Sequence, residues 1–371
     1  FRYAATTATA LLAAVTSPVA GLFVGLVGVA LYLSRYRNGA LLAACAAVGI
    51  GLTGLLFGEG GAMNISLRDT IGAIGASLIV ALFAAHRPVR IGALLSAAGV
   101  LAAFLIDTPV GLNATRLATM FALPVLVATA AIPNWSRVWR TVVTAGTVLG
   151  VVVLAPPVVL ADIGDAGNPA NQRAYFAPLE AASRSFGVQR VEVVPTRNYW
   201  EAAYVSPLAR GWLRQVDRKR NPILFENLPG GRKLTAENYL AWLQDNAVSH
   251  VALSDAELSW LAKPEAALIR GGLSYLTEVW RDEHWHLYSV ANAPPLVESS
   301  AGPGLISAPV EVTDQTADSL TFTTTSDGEV LIRVRYSRWL TLPGARPRPG
   351  PGGWTVADIP NPGRYTLSST L

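Results

Sequence analysis

A single cysteine, Cys45, serves 371 residues. That scarcity excludes an internal disulfide and any metal site built from paired thiolates. Cys45 itself falls inside an alanine-rich run, where a thiol behaves as a small apolar side chain. Charge is scarce too: 15% of residues are Asp, Glu, Lys or Arg, and mean hydropathy is +0.36. Both values are foreign to a soluble chain of this length and ordinary for one that is half membrane. The sequence has no Walker loop, no nucleophile elbow and no dinucleotide fingerprint. It also lacks a signal-peptide layout. Phe1 stands in an apolar context without an initiating Met, and the expectation is of a fragment or processed chain with further helices upstream. An isoelectric point near 9.3 would suit nucleic acid. Membrane topology explains the loop arginines better, so no nucleic-acid partner is expected.

What the chain does have is long apolar runs. The last of them, 138–161, reads VWRTVVTAGTVLGVVVLAPPVVLA and carries one charge, Arg140. A bilayer core needs roughly 20 apolar residues at a helical rise of about 1.5 Å. This run therefore reads as the final transmembrane helix, handing the chain to water at Asp162. Before it come 4–33, interrupted by Thr16-Ser17-Pro18 and so either broken or a hairpin, then 39–57, 70–85, 91–106 and 117–132. The expectation is a membrane helical bundle of about six spans over residues 1–161. Glycine and alanine crowd these runs, as close packing of helices in lipid requires.

The loops give a sidedness. Residues 34–37, 86–90 and 134–140 carry six arginines and no acid. The alternate loops hold Glu59, Arg68, Asp69, Asp107 and Arg116. Short loops rich in Lys and Arg stay cytoplasmic, so the segment from Asp162 onward is expected outside the cytoplasm, in a multi-pass plasma-membrane protein. The outer loops then offer a polar site at the membrane boundary, where a lipid-linked phosphate could meet Arg68 or Arg116. The plainer alternative is that these charges simply sit in water.

The soluble half divides into 162–293, where strands alternate with helices as in a small α/β domain, and 294–371, a β-sandwich-like pattern of short strands and turns. Helices are predicted over 177–186, 208–218, 235–247 and 255–270, the last kinked at Pro264. Strands are predicted over 190–194, 223–226 and 250–253, with a hairpin over 276–290. A Pro/Ser/Gly linker covers 294–309. Beyond it, Arg333, Arg335, Arg338 and Trp339 form a basic-aromatic stripe that reads first as a solvated sheet face. His284 and His286, two apart on a strand, could share a metal, but no evident third ligand accompanies them and no metal site is assigned.

The densest polar-aromatic stretch is 191–220. Arg197, Trp200, Glu201 and Arg210 supply the rings, forks and carboxylate that carbohydrate recognition uses. Equally, Trp200, Tyr204 and Trp212 could be core, with Arg210 paired to Glu201 or Asp217. The segments EVVPTRNYWE (192–201) and LARGWLRQVD (208–217), with YLAWL (239–243) and HVALSD (250–255), resemble multi-pass actinobacterial membrane proteins described as 6-pyruvoyl-tetrahydropterin-synthase-related. These in turn resemble membrane glycosyltransferases of the GT-C type, which take sugars from polyprenyl-phosphate donors. The resemblance spans roughly two-thirds of the chain and is weakest in the β-rich end. It implies a lipid-linked sugar transferase in cell-envelope glycan assembly, with a catalytic carboxylate in a first outer loop that would lie upstream of Phe1. Among residues present, Asp69 and Glu59 are the candidate bases. Arg68, Arg116, Arg197, Trp200, Glu201 and Arg210 are the candidate contacts to donor phosphate or sugar. No cofactor is named by the sequence. Two rivals stand beside this reading: a non-catalytic membrane protein whose outer domains bind envelope glycan or protein, and a transporter, which the near absence of ionisable groups within the runs disfavours.

Overall fold

The computed structural model describes residues 2–58, 60–131, 136–154, 163–212, 215–299 and 310–369. Contacts divide the chain into two compact units, Phe1–Ala166 with Arg214–Arg220, and Gly167–Leu213 with Asn221–Leu371.

The first unit is helical: α1 (Arg2–Thr16), α2 (Pro18–Leu33), α3 (Asn38–Phe57), α4 (Leu67–Phe83), α5 (Arg87–Leu105), α6 (Arg116–Thr129) and α7 (Arg137–Leu154). Local chemistry sets the boundaries. Ser17 caps α2 by accepting from the Ala20 N–H at 3.3 Å, with Pro18 preset for the first turn. The break makes a hairpin. A Cβ on Gly21 would lie 2.9 Å from Ala14 Cα, whereas seven residues along one straight helix separate Cα atoms by about 10 Å. At Gly28 a Cβ would lie 2.6 Å from the Ala43 nitrogen, so α2 and α3 touch backbone to backbone.

Among the described residues, four helical stretches are long and apolar enough to cross a membrane by length and composition: Asn38–Phe57, Arg87–Leu105, Gly111–Thr129 and Arg137–Leu154. The expected count of about six is therefore too high. The hairpin divides the first apolar run into helices of 15 and 16 residues, and α4 has 17. All three fall short of the roughly 20 residues a bilayer core asks for. The closing run is helical from Arg137 to Leu154, while the expected exit at Asp162 lies outside the described residues. Apolar side chains cover the surface of the unit: Leu55 is 79% exposed and Val127 77%. A surface of that kind is consistent with membrane association.

The second unit begins with a three-layer α/β region. Its sheet has the order β1-β2-β4-β3, from β1 (Arg190–Val193), β2 (Val248–Ser254), β3 (Leu276–Arg281) and β4 (Trp285–Val290). β1 and β2 are parallel, and β2, β4 and β3 pair antiparallel. Helix α8 (Arg173–Ser185) packs Phe176 and Leu179 with Val191, Val193 and Trp285 on one face. On the other face, Tyr239, Leu243, Ala266 and Ile269 meet Val251 and Leu253. The expected α/β region is thus present, with three local corrections. Residues 208–218 form no continuous helix; Leu208 instead bridges to Val191 alongside β1. Residues 222–225 make a 3-10 turn in place of a strand, because Pro222 starts a helical turn there. The helix expected over 255–270 is confined to Lys263–Arg270, since Leu258 and Ser259 pair with the backbone at 195–196.

The remaining strands form two four-stranded sheets, β10-β11-β8-β5 and β6-β7-β12-β9. Here β5 is Val297–Ser299, β6 Val310–Gln315, β7 Ser319–Thr324, β8 Gly328–Arg335, β9 Leu340–Thr341, β10 Pro347–Pro349, β11 Trp354–Ile359 and β12 Gly363–Ser369. Inward residues of both sheets, among them Val297, Phe322, Ile332, Ala357 and Leu367, share one buried cluster. Among the described residues the sheets do not join into a closed sandwich or barrel, so the expected sandwich reduces to two open sheets. β5 falls where a linker was expected; the rest of that linker, 300–309, lies outside the described residues.

Candidate functional site

In the helical unit, the loops sort to two ends. At one end the Ala85 N–H donates to the Thr129 carbonyl at 2.7 Å and the Ala131 N–H to the Phe83 carbonyl at 2.9 Å. Arg90 Nε donates to the Ala81 carbonyl at 3.1 Å, and Arg87 Nη2 to the Leu33 carbonyl at 3.5 Å. Each arginine thereby meets the negative end of a helix, a favourable placement. At the opposite end the Met63 N–H donates to the Thr108 carbonyl at 2.9 Å, and Asn113 Nδ2 to Met63 Sδ at 3.3 Å. These contacts tie loop 60–66 to loop 106–115. Gly72 near the start of α4 abuts the Leu154 carbonyl at the end of α7, so α7 finishes at this same end.

Arg68, Asp69 and Arg116 all occupy first turns of helices there. Asp69 Oδ2 accepts from the Ser66 hydroxyl at 2.7 Å, and the Asp69 N–H donates to Ser66 Oγ at 3.0 Å, so the acid completes a helix cap. A carboxylate in the first turn also suits the helix dipole. Glu59 lies outside the described residues.

In the α/β region the sequence candidates meet partners that the sequence did not assign. The backbone at Pro207–Ala209 runs beside β1: the Val191 N–H donates to the Pro207 carbonyl at 3.0 Å, and the Ala209 N–H to the Val191 carbonyl at 2.8 Å. That pairing brings Arg210 beside Glu192. Arg210 Nε donates to Glu192 Oε1 at 2.5 Å, Arg210 Nη2 donates to Glu265 Oε2, and the Tyr239 hydroxyl donates to Glu265 Oε1 at 2.7 Å. Arg210 therefore pairs with Glu192 and Glu265, and the expected partners Glu201 and Asp217 are not the ones it bonds. The guanidinium carbon lies 5.9 Å from the Trp242 ring centre, and Trp242 Nε1 donates to Asn221 Oδ1 at 3.0 Å. Both carboxylates are almost wholly buried, at 0% and 1% exposure.

Electrostatics follow from burial and crowding of acids. Burial is the largest influence on Glu192 and pushes its pKa well up, aided by Glu265 and Glu201 and opposed by Arg210. Burial also works against the Arg210 charge, but Glu192 and then Glu265 outweigh it and push its pKa up. Glu201 accepts from the Thr196 hydroxyl at 2.6 Å, and burial pushes its pKa up to about 7 despite that bond. Among the described residues, Glu192 Oε2 and Glu201 Oε1 have no hydrogen-bond partner. Chemically, this is one firmly held cation among three carboxyl groups, two of which burial holds above the usual carboxylate range.

Arg197 pairs with Glu257 at 2.8 Å on the surface, and Trp200 stacks on Tyr204 with Trp212 at its edge. Tyr199 adopts a left-handed backbone (φ 59°) and shares a 2.8 Å hydrogen bond with Ser259. The sequence reading missed Glu265 and Tyr239. Nothing marks Glu265 except its place among the first residues of a helix, and its partner lies 55 residues away.

His284 and His286 answer to different acids. His284 Nδ1 lies 3.0 Å from Asp255 Oδ2, whose other oxygen accepts from the Tyr175 hydroxyl at 2.6 Å. His286 Nδ1 lies 3.1 Å from Glu278 Oε2. The hydrogen bond to Asp255 raises the His284 pKa. Among the described residues no cluster of three or more His, Cys, Asp or Glu could hold a metal.

Of the arginine stripe in the β-rich region, Arg333 and Arg335 lie in a seam rather than on a solvated face, while Arg338 is exposed beside Trp339. Arg190 donates to the Asn246 carbonyl at 2.8 Å and the Arg333 carbonyl at 2.7 Å, while Arg333 pairs with Glu298 at 2.9 Å. Arg335 lies 3.4 Å over the Trp354 ring, and Trp354 Nε1 donates to Asp245 Oδ1 at 3.1 Å. Burial, then the neighbouring Arg335 and Arg333, push the Arg190 pKa down to about 10.

Compared with protein-family models, with curated proteins and with solved structures, the chain matches none.

Proposed function

We propose that the chain is a multi-pass plasma-membrane protein acting in cell-envelope glycan assembly, as a GT-C-like transferase that takes sugar from a polyprenyl-phosphate carrier. The observation that supports this reading is the separation of charge between the two ends of the helical unit. Arg68, Asp69 and Arg116 share the end where α7 finishes, while Arg87 and Arg90 hold the other. Arginine-rich turns stay cytoplasmic, so the acid-bearing end and the region from 167 onward face outward. Two guanidiniums at that boundary suit a lipid-linked phosphate, and Asp69, with Glu59, suits the base that activates an acceptor hydroxyl.

Transfer from a polyprenyl-phospho-sugar, assayed on the full-length protein in membranes, tests it. Asp69→Ala is expected to cut transfer by about a hundredfold or more, the range for a lost general base. Arg68→Ala and Arg116→Ala are expected to weaken donor binding. Transfer left intact by all three replacements would remove the assignment.

A second reading has its own observation. Arg197, Glu201 and Arg210 are committed to Glu257, Thr196 and the Glu192–Glu265 pair. Trp212 and Trp260 remain half exposed. An outer region with locked charges and available indole faces suits a non-catalytic binder of glycan or protein. Measurable glycan binding by a protein with no transfer activity would favour it.

A further inference from the structure

The helical unit contains a cavity of about 230 Å³, open at the surface of the bundle. Its walls come from α2, α4, α5 and α6, and they are almost entirely apolar. The two polar side chains in the wall, Ser77 and Ser96, are buried and lie 3.4 Å apart, oxygen to oxygen, so each can satisfy the other. The cavity has a direction. Leu31 and Val80 come from the last turns of α2 and α4, and Pro88 and Val89 from the first turn of α5. All four lie toward the arginine-bearing end. Arg87 and Arg90 flank Pro88 and Val89 there, both exposed, each spending one N–H on a helix-end carbonyl. A guanidinium has five N–H donors, so most of this donor capacity is left over.

An apolar slot in a surface that already suits lipid, with two cations on the same helix turn as its lining residues Pro88 and Val89, has the complementarity of an anionic amphiphile. We propose that this groove holds one acyl chain of an anionic phospholipid, whose headgroup phosphate is bound by Arg87 and Arg90. Phosphate meets guanidinium as a charge-assisted hydrogen-bonding pair, and the chain fills a space that water has no polar partners to occupy. The site lies at the end opposite Asp69 and does not rest on the transferase reading; it needs only that these helices sit in a bilayer.

The test uses full-length protein purified in mild detergent, with phosphatidylglycerol, phosphatidylcholine and soluble glycerol 3-phosphate as probes. Bound lipid is counted by native mass spectrometry, and thermal stability is followed alongside. The expected result is retention of one phosphatidylglycerol at least tenfold more strongly than phosphatidylcholine, with no protection by glycerol 3-phosphate. Gly92→Leu should abolish that retention. A Cβ on Gly92 meets only Ala30 at 3.6 Å and Leu26 at 3.8 Å, so a larger side chain enters the groove without displacing backbone. Arg87→Gln should erase the headgroup preference while leaving some lipid bound. Equal retention of the two lipids by the unaltered protein overturns the proposal, and so does protection by glycerol 3-phosphate alone. A dimer that forms without lipid and covers the groove overturns it as well. The headgroup comparison uses the unaltered chain, so it decides even if Gly92→Leu fails to fold.

Discussion

Arg210 Nε donates to Glu192 Oε1 at 2.5 Å, with Glu192 on strand β1 and Arg210 on the segment that pairs along that strand's outer edge. A second carboxylate, Glu265, accepts from Nη2 of the same guanidinium. Removing one member of a buried ion pair leaves the others desolvated and unpaired, at a cost of about 3–5 kcal/mol. Arg210→Ala is therefore expected to lower the stability of the α/β region by that amount, read by chemical denaturation of the full chain at neutral pH. The loss should shrink as pH falls, because burial pushes the Glu192 pKa up and protonation removes the charge left unpaired. A loss below about 1 kcal/mol, the range of exposed pairs, would show that the cluster is not closed to water.

Glu201 gives a pH dependence of opposite sense to an ordinary ion-paired acid. Burial, the largest influence, carries its pKa from 4.5 in an unperturbed chain to about 7 in the fold, and Glu201 is 2% exposed. Between those values the unfolded chain releases a proton that the folded chain keeps. Stability therefore falls as pH rises from about 4.5 to about 7 and levels off above that, by about 3 kcal/mol in all. Glu201→Gln should flatten this slope while keeping the Thr196 hydrogen bond. Denaturation midpoints taken across that range for both proteins give the difference directly. Parallel curves would contradict a carboxyl whose pKa burial raises.

Much of the architecture is legible in the chain because it follows from spacing. Thr235 caps its helix through a reciprocal pair with Asn238, and the 276–290 hairpin forms as its alternation predicts. The apolar runs become helices with ends close to those expected where the residues are described, the end of the closing run lying outside them, because hydropathy and loop arginines are local signals. The site is less legible because its partners are remote. Arg210 looked like one residue of an amphipathic helix, with Glu201 or Asp217 in range. The edge pairing at Val191 overrides that periodicity and turns the guanidinium toward Glu192 and Glu265. Ser17-Pro18 is similar: the sequence allowed a kink or a hairpin, and contact between Gly21 and Ala14 decided it.

Close helix contact makes a prediction by contrast. A Cβ on Gly28 would lie 2.6 Å from the Ala43 nitrogen and 2.8 Å from the Gly39 carbonyl oxygen, with backbone on both counts. Gly51, on α3, has nothing within 4 Å. Gly28→Leu is expected to force α2 from α3, with a penalty of about 1–3 kcal/mol or more for overpacking. Gly51→Leu should be neutral or slightly stabilising, since glycine is a poor helix former. Thermal unfolding in detergent separates the two, and equal effects would mean that the α2–α3 contact is looser than the geometry states.

The proposed orientation makes the sharpest claim about the living cell. If the turns bearing Arg35, Arg37, Arg87 and Arg90 face the cytoplasm, the loop containing Asp107 faces outward, because the two groups lie at opposite ends of the same helices. Cys45 is the only thiol and is buried, so Cys45→Ala gives a cysteine-free background with little disturbance. On that background, Asp107→Cys should react with a membrane-impermeant maleimide in intact cells. Arg35→Cys should react only after the membrane is opened. The reverse pattern would place Asp69 and the region from 167 onward inside the cell, where an acceptor in the cell envelope is out of reach.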